Sequence, residues 1–267
     1  MSQEREEITF LIKLCEQTER FEDMRENVRK LMEIAKTNPD SKPKPKKKED
    51  KEEPQEDEKD ILTLEERNLL SVAYKNSVGT RRTAFRIISS VQHKEDQKDN
   101  DARKEDLKDF KKKLEAEMDE ICDEILAYLD GDLIKDSCEV ETRVFYLKMK
   151  ADYYRYQAEY AEGDKKEKVK NGAKDAYEQA TALAEGLSTT SPIRLGLALN
   201  FSVFYYETMQ DNKKACELAK NAFDDAIGDI ETIKESEYKD ATVIMQLIRD
   251  NLTLWNSEME EDADDDN

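Results

Sequence analysis

Lys75 and Arg82 stand seven residues apart in a stretch of helical period, with Arg86 one turn further, so all three project from one face of the helix. A second basic group, Arg155, sits beside Tyr156 inside the aromatic run Asp152-Tyr153-Tyr154-Arg155-Tyr156. A lysine, two arginines and a phenol together suit a phosphate. Guanidinium forks bind its oxygens in pairs, an ammonium adds charge, and a phenol donates one more bond. The other reading is that these cations pair with acids on neighbouring faces, and the chain has 64 Asp and Glu to offer. Spacing alone leaves both open.

A different surface comes from two later stretches. Leu199, Asn200, Val203 and Glu207 share one helix face, and Ile244, Leu247, Asn251 and Leu254 share another, each an apolar stripe interrupted by an asparagine. Such a stripe is either a core face with an amide at its edge or a groove wall, in which the amides hold the backbone of an extended peptide and the aliphatic groups pack its side chains. Little else in the chain could react. There is no GxxxxGK[ST] loop, GxGxxG turn, HExxH pair or GxSxG elbow, which removes most support for an enzyme. The single histidine, His93, lies beside a charge run where a solvated side chain is expected. Cys15, Cys122, Cys138 and Cys216 lack CxxC spacing and read as reduced thiols, with no metal and no cofactor implied.

Helices must position these groups. Only seven glycines and five prolines occur in 267 residues, and four of the prolines (Pro39, Pro43, Pro45, Pro54) fall in one segment, which argues against a sheet protein. Ile8, Leu11, Ile12 and Cys15 mark a first helix, and Met24, Val28, Leu31 and Met32 a second. Thr63-Leu64-Glu65-Glu66 reads as a capping box opening a third helix through about Gln92. A fourth is expected from about Arg103 to Leu129, broken near Asp130-Gly131-Asp132. A fifth spans about Cys138 to Glu162 and a sixth Lys166 to Glu185. Ser191-Pro192 starts a seventh, because proline at the first helical position costs no hydrogen bond and Ser191 or Thr190 can cap. Helices over about 192–208, 212–228 and 237–256 complete nine. Lys174 to Ala180 is echoed by Lys220 to Ala226, whose paired alanines beside an aromatic suit closely packed, tetratricopeptide-like hairpins, although the offset of 46 residues does not match that family's period.

Residues 36–60 contain no apolar side chain, with eight lysines and nine acids, and read as a disordered insertion. The patch from Lys94 to Asp106 reads as a helix connection, and residues 258–267, seven of them acidic, as a tail. The formal net charge of −20 excludes nucleic-acid binding driven by bulk charge. The N-terminus shows no apolar signal region and no stretch reaches a membrane span, so membrane insertion is not expected and a cytoplasmic, and also nuclear, location is.

Longer strings carry a resemblance. Glu65 to Asn76 (Glu-Glu-Arg-Asn-Leu-Leu-Ser-Val-Ala-Tyr-Lys-Asn), Val144 to Lys150 with Asp152 to Tyr156, Arg194 to Glu207 (Arg-Leu-Gly-Leu-Ala-Leu-Asn-Phe-Ser-Val-Phe-Tyr-Tyr-Glu), and Met245 to Leu247 with Arg249 to Trp255 are similar to those of the 14-3-3 proteins, in the family's order. The match runs from about residue 3 to 257, apart from the 36–60 insertion. It implies an all-α domain of nine antiparallel helices forming a concave groove, a W-shaped homodimer or heterodimer, and an adaptor that binds phosphoserine and phosphothreonine peptides and masks, bridges or clamps phosphorylated clients. Position by position, the family's phosphate pocket falls on Lys75, Arg82, Arg155 and Tyr156, and a further basic groove position on Lys148. The backbone-holding amides fall on Asn200 and Asn251 with Glu207 beside them, and the apolar wall on Leu199, Val203, Ile244, Leu247 and Trp255. A helical scaffold binding unphosphorylated partners is the alternative, should the insertion or the substitutions impair the pocket.

The resemblance also places a dimer interface on Leu14, Thr18, Arg20 and Asp23 of one subunit facing Phe110, Lys113 and Glu117 of the other, with cross-subunit pairs Arg20 with Glu117 and Asp23 with Lys113. Ala84 stands where many members have a regulatory serine, Phe85 replaces a usual tryptophan, and Phe110 a usual tyrosine. Ser41, in Ser41-Lys42-Pro43, and Ser257, ahead of Glu258 and Glu260, are candidate phosphosites through which the insertion or tail would occupy the chain's own groove.

Overall fold

The computed structural model describes residues 2–38, 59–96 and 101–265, and divides after Glu139 into two compact units. Among the described residues there are nine α-helices and no strand.

The N-terminal unit contains α1 (Ser2–Gln17), α2 (Phe21–Thr37), α3 (Leu64–Glu95) and α4 (Asp101–Tyr128). The stripe expected on α2 is its core face: Met24, Val28, Leu31, Met32 and Ala35 are fully buried. The capping box at the start of α3 is formed in both directions. Glu66 N–H donates to Thr63 Oγ1 at 3.1 Å and Thr63 N–H to Glu66 Oε2 at 2.8 Å. The Glu66 carboxylate also receives Arg5 of α1 at two points, Nε to Oε1 and Nη2 to Oε2, both 2.7 Å. Arg5 Nη2 reaches the Ile61 carbonyl at 2.7 Å, and Arg5 is fully buried. A guanidinium removed from water survives only when its donors and charge are matched in this way.

Two local expectations are corrected. Asp130-Gly131-Asp132 does not break the fourth helix, which widens into a π-helical stretch over Leu129–Leu133, closed by Ile134 N–H on the Leu129 carbonyl at 2.9 Å. The wider turn keeps Leu129 and Leu133 buried while the polar residues between them face outward. At its other end the expected insertion is narrower than 36–60: α2 runs through Thr37, and Asp60 is buried with its carboxylate accepting from Leu62 N–H at 3.2 Å. Residues 39–58, Ser41 among them, and residues 97–100 of the charged connection lie outside the described residues.

The C-terminal unit contains α5 (Val140–Ala158), α6 (Gly163–Ala184), α7 (Pro192–Val203), α8 (Asn212–Gly228) and α9 (Tyr238–Asp265). α5 is buried on most of its circumference, including Asp152 and Arg155, and packs against α6 and α7. Gly172 of α6 allows this approach, since a Cβ there would sit 3.1 Å from the Tyr154 ring. The alanines of the echoed segments serve the same end, with Ala176, Ala180 and Ala226 buried. Pro192 opens α7 as expected, but the Ser191 hydroxyl at the N-cap position makes no capping bond. Helical winding covers the span expected for the seventh helix, but beyond Val203 it widens: residues Phe204–Met209 wind as a π-helix that ends at Gln210, which is left-handed with φ 56°. α9 continues to Asp265, eight residues into the segment expected as a tail. No helix among the described residues is long and apolar enough to cross a membrane.

Candidate functional site

In the N-terminal unit, Lys75 and Arg82 both lie on α3, two turns apart. Lys75 is exposed and has no ion-pair or hydrogen-bond partner among the described residues, while Arg82 is half-buried and Arg86 exposed. An unpaired ammonium on a surface rich in acids is a cation left available.

The C-terminal unit holds the rest. Arg155 is 7 % exposed, with its guanidinium over the Tyr156 ring at 5.0 Å, a cation–π contact. Arg155 Nε donates to the Tyr177 hydroxyl at 3.1 Å and Nη2 approaches Asp152 Oδ1 at 3.5 Å. Asp152 is the centre of this arrangement. It accepts from Lys148 Nζ at 2.8 Å, from the Tyr177 hydroxyl, and from Asn200 Nδ2, which straddles both carboxylate oxygens at 2.9 Å each. Three helices are thereby joined, α5 through Lys148 and Arg155, α6 through Tyr177 and α7 through Asn200. Arg155 and Asp152 are buried and Lys148 is half-buried, so two cations stand against one carboxylate here.

Burial alone would raise the Asp152 carboxyl, but the charges of Lys148 and Arg155, with hydrogen bonds from Lys148 and Tyr177, outweigh it and hold the group below the usual carboxylate range. The Tyr177 phenol is pushed well up by burial and by the Asp152 charge, so it stays a donor. A depressed carboxyl stabilises the fold wherever it is ionised in both states, and loses that contribution as pH falls below its unfolded value of about 4 toward the folded one. Asp152→Asn should therefore cost stability at pH 7, and the gap to the parent protein should narrow at pH 3. Urea unfolding midpoints at the two pH values check this, and a gap of constant size would contradict it.

The remaining positions line up along α7 and α9. Leu199, Val203 and Ile244 pack against a cluster containing Leu195, Met245, Ile248 and Trp255. A Cβ on Gly196 would lie 3.7 Å from Lys148 Cε and 3.9 Å from Ile244 Cδ1, so Lys148 and Ile244 both come against α7 at this glycine. Leu247 is 47 % exposed, the Asn251 amide has no hydrogen bond among the described residues, and Glu207 is exposed. Glu207 belongs to the π-helical stretch, whose wider winding rotates it from where an α-helical stripe through Leu199 and Val203 would put it. Trp255 is buried and stacked on Tyr206 at 4.7 Å, supporting the wall from inside. Tyr206 in turn hydrogen-bonds Glu258, and the exposed Ser257 hydroxyl bonds the Leu254 carbonyl within α9.

Of the expected interface residues, Leu14 (45 %) and Phe110 (53 %) are exposed large apolar groups, with Phe10, Leu11, Ile87 and Val91 of the same unit also exposed. Thr18 and Lys113 are exposed and Ala84 half-buried. The charges are otherwise engaged than expected: Arg20 pairs with Asp23 in its own chain, and Glu117 holds Arg81 at 3.1 Å, which also binds Glu22. A cross-subunit Arg20 to Glu117 pair would have to displace both. Phe85, also near this region of the sequence, is covered by Lys111 at 4.8 Å from its ring centre. Among the described residues no group of His, Cys, Asp and Glu is placed to hold a metal ion, and all four cysteines are free.

Two members of the polar cluster escaped sequence reasoning. Asp152 was legible in principle, because an acid four residues after Lys148 and three before Arg155 in an aromatic helix has a reason to be there. Tyr177 gave no such signal, since its role depends on the packing of α6 against α5.

Known proteins match this chain over nearly its whole length. The family model for the 14-3-3 protein matches residues 52–256. The 14-3-3-like protein GF14 epsilon of Arabidopsis thaliana is 46% identical over 267 residues, 99% of this chain and 95% of its own length. The 14-3-3-like protein B of Hordeum vulgare is 50% identical over 97% of this chain and 91% of its own. The checkpoint signal transducer rad24 of Schizosaccharomyces pombe is 46% identical over 97% of this chain and 87% of its own.

Proposed function

The chain belongs to the 14-3-3 family, and from that premise we propose that it is a non-catalytic adaptor that binds phosphoserine and phosphothreonine peptides of its client proteins. The observation that carries the proposal is the pair of cations, buried Arg155 and half-buried Lys148, set around the single carboxylate of Asp152, with the Arg155 guanidinium over the Tyr156 ring, on a chain whose formal net charge is −20. A local excess of positive charge on so acidic a protein favours an anion that meets it there. Lys75, Arg82, Arg155 and Tyr156 bind the phosphate, which brings roughly −1.5 to −2 charges near neutral pH. Asn200 and Asn251, with Glu207 beside them, hold the peptide backbone, Lys148 adds a basic group to the groove, and Leu199, Val203, Ile244 and Leu247 receive the peptide's side chains.

Dimerisation through Leu14 and Phe110 is part of the same reading, supported by the exposed apolar groups of the N-terminal unit. Sedimentation at micromolar concentration should return about twice the chain mass of 31.1 kDa, and the double substitution Leu14→Glu, Phe110→Glu should bring it to that of one chain. A mass unmoved by that substitution would place the interface elsewhere. Two binding sites on one dimer raise affinity for a client with two phosphosites by about 10² to 10⁴ over a single site. Titrating the protein with singly and doubly phosphorylated forms of one long peptide tests the adaptor mechanism, because only a dimer of phosphate-binding grooves separates the two.

A further inference from the structure

We propose that Asp152 is the positioning residue for peptide-backbone recognition, acting through the amide of Asn200; this rests on the phosphopeptide reading above. A side-chain amide can face a neighbour through its NH₂ or its carbonyl, and the partner decides which. An ionised carboxylate only accepts. The Asn200 group 2.9 Å from both Asp152 oxygens must therefore be the NH₂, which fixes the Oδ1 carbonyl of Asn200 as the atom left over to accept a backbone N–H from a ligand. The carboxylate is itself held from three other sides, by Lys148, Arg155 and Tyr177, and Asp152 is 6 % exposed, so it cannot swing away when a ligand arrives. One buried acid thus sets which end of Asn200 a peptide meets.

Positioning and simple electrostatics make opposite predictions for Asp152→Asn. Removing a negative charge beside Lys148 and Arg155 would, by Coulomb's law alone, strengthen binding of a phosphorylated ligand. If Asp152 orients Asn200, the same change lets the amide at 200 turn over and weakens binding, because two facing amides satisfy each other in either orientation. The experiment measures the affinity of the full-length protein for one peptide in phosphoserine and serine forms, with the Asp152→Asn, Asn200→Ala and doubly substituted variants, all well below their unfolding midpoints. Asp152→Asn should weaken phosphopeptide binding at least tenfold, and the double variant should bind within twofold of Asn200→Ala alone, whereas general damage to the fold would make the two losses multiply. Unchanged or tighter phosphopeptide binding by Asp152→Asn, or losses that multiply, would overturn the positioning role while the phosphopeptide reading stands. Equal affinity of the unsubstituted protein for both peptides would instead overturn that reading, and this role with it. A measurement on the unsubstituted protein stands apart from whether any variant folds: the Asn200 side-chain NH₂ protons should show slow exchange with water by nitrogen-15 NMR. Solvent-like exchange would remove the Asp152 contact on which the inference is built.

Discussion

Replacing Arg82 and Arg155 together by alanine should weaken binding of a phosphoserine peptide by at least a hundredfold while leaving the protein folded. Each arginine offers charge-assisted hydrogen bonds to a dianion, and losing one such bond costs about 1.5–3 kcal/mol. Two together remove about 3–6 kcal/mol, or roughly 10² to 10⁴ in affinity. The substitution at 155 is the more invasive of the two, because it takes a donor from Tyr177 and a cation from Asp152. Lys148 remains paired with Asp152, so the buried carboxylate keeps one countercharge. Circular dichroism of the variant should match the parent at the temperature of the titration. Affinity retained within threefold would remove the two arginines from the phosphate site.

The largest effect on stability should come from Glu66→Ala, at about 3–5 kcal/mol, the cost of stripping one partner from a buried ion pair. Glu66 serves two structures at once. Its carboxylate closes the capping box on Thr63 and accepts both arms of the Arg5 guanidinium, which has no exposed surface on which to find water instead. Removing the glutamate takes both carboxylate bonds from a guanidinium buried in the N-terminal unit. Replacing both residues by apolar groups of similar size, Arg5→Met with Glu66→Leu, should be milder than Glu66→Ala, since no charge is then left unmatched. Urea unfolding midpoints followed by far-ultraviolet circular dichroism compare the three proteins, and a loss below about 1 kcal/mol for Glu66→Ala would show that the Arg5 guanidinium is satisfied without Glu66.

These two cases mark where a sequence speaks and where it does not. Thr63 and Glu66 announce the start of α3 because a capping box is written in four consecutive residues, and Pro192 announces α7 for the same local reason. The stripe on α2 is legible because burial there follows helical period. Arg5 and Glu66 are 61 residues apart, and Asn200 lies 48 from Asp152, so their bonds depend on which helices pack together. Nor was the π-helical winding at Leu129–Leu133 legible, because Asp130-Gly131-Asp132 has the composition of a turn, while the burial of Leu129 and Leu133 that favours a helix depends on tertiary packing. The residues proposed to hold phosphate stand out in the sequence first as a chemical pattern of cations and a phenol, and then, through the longer strings around them, as a family resemblance.

The central claim, that this protein recognises phosphate on its clients, is tested most directly by calorimetric titration with one peptide synthesised in phosphoserine and serine forms. Binding of the phosphorylated form, with affinity for the serine form at least a hundredfold weaker, is the result expected if Lys75, Arg82 and Arg155 supply the recognition. Equal affinities for the two forms would contradict it.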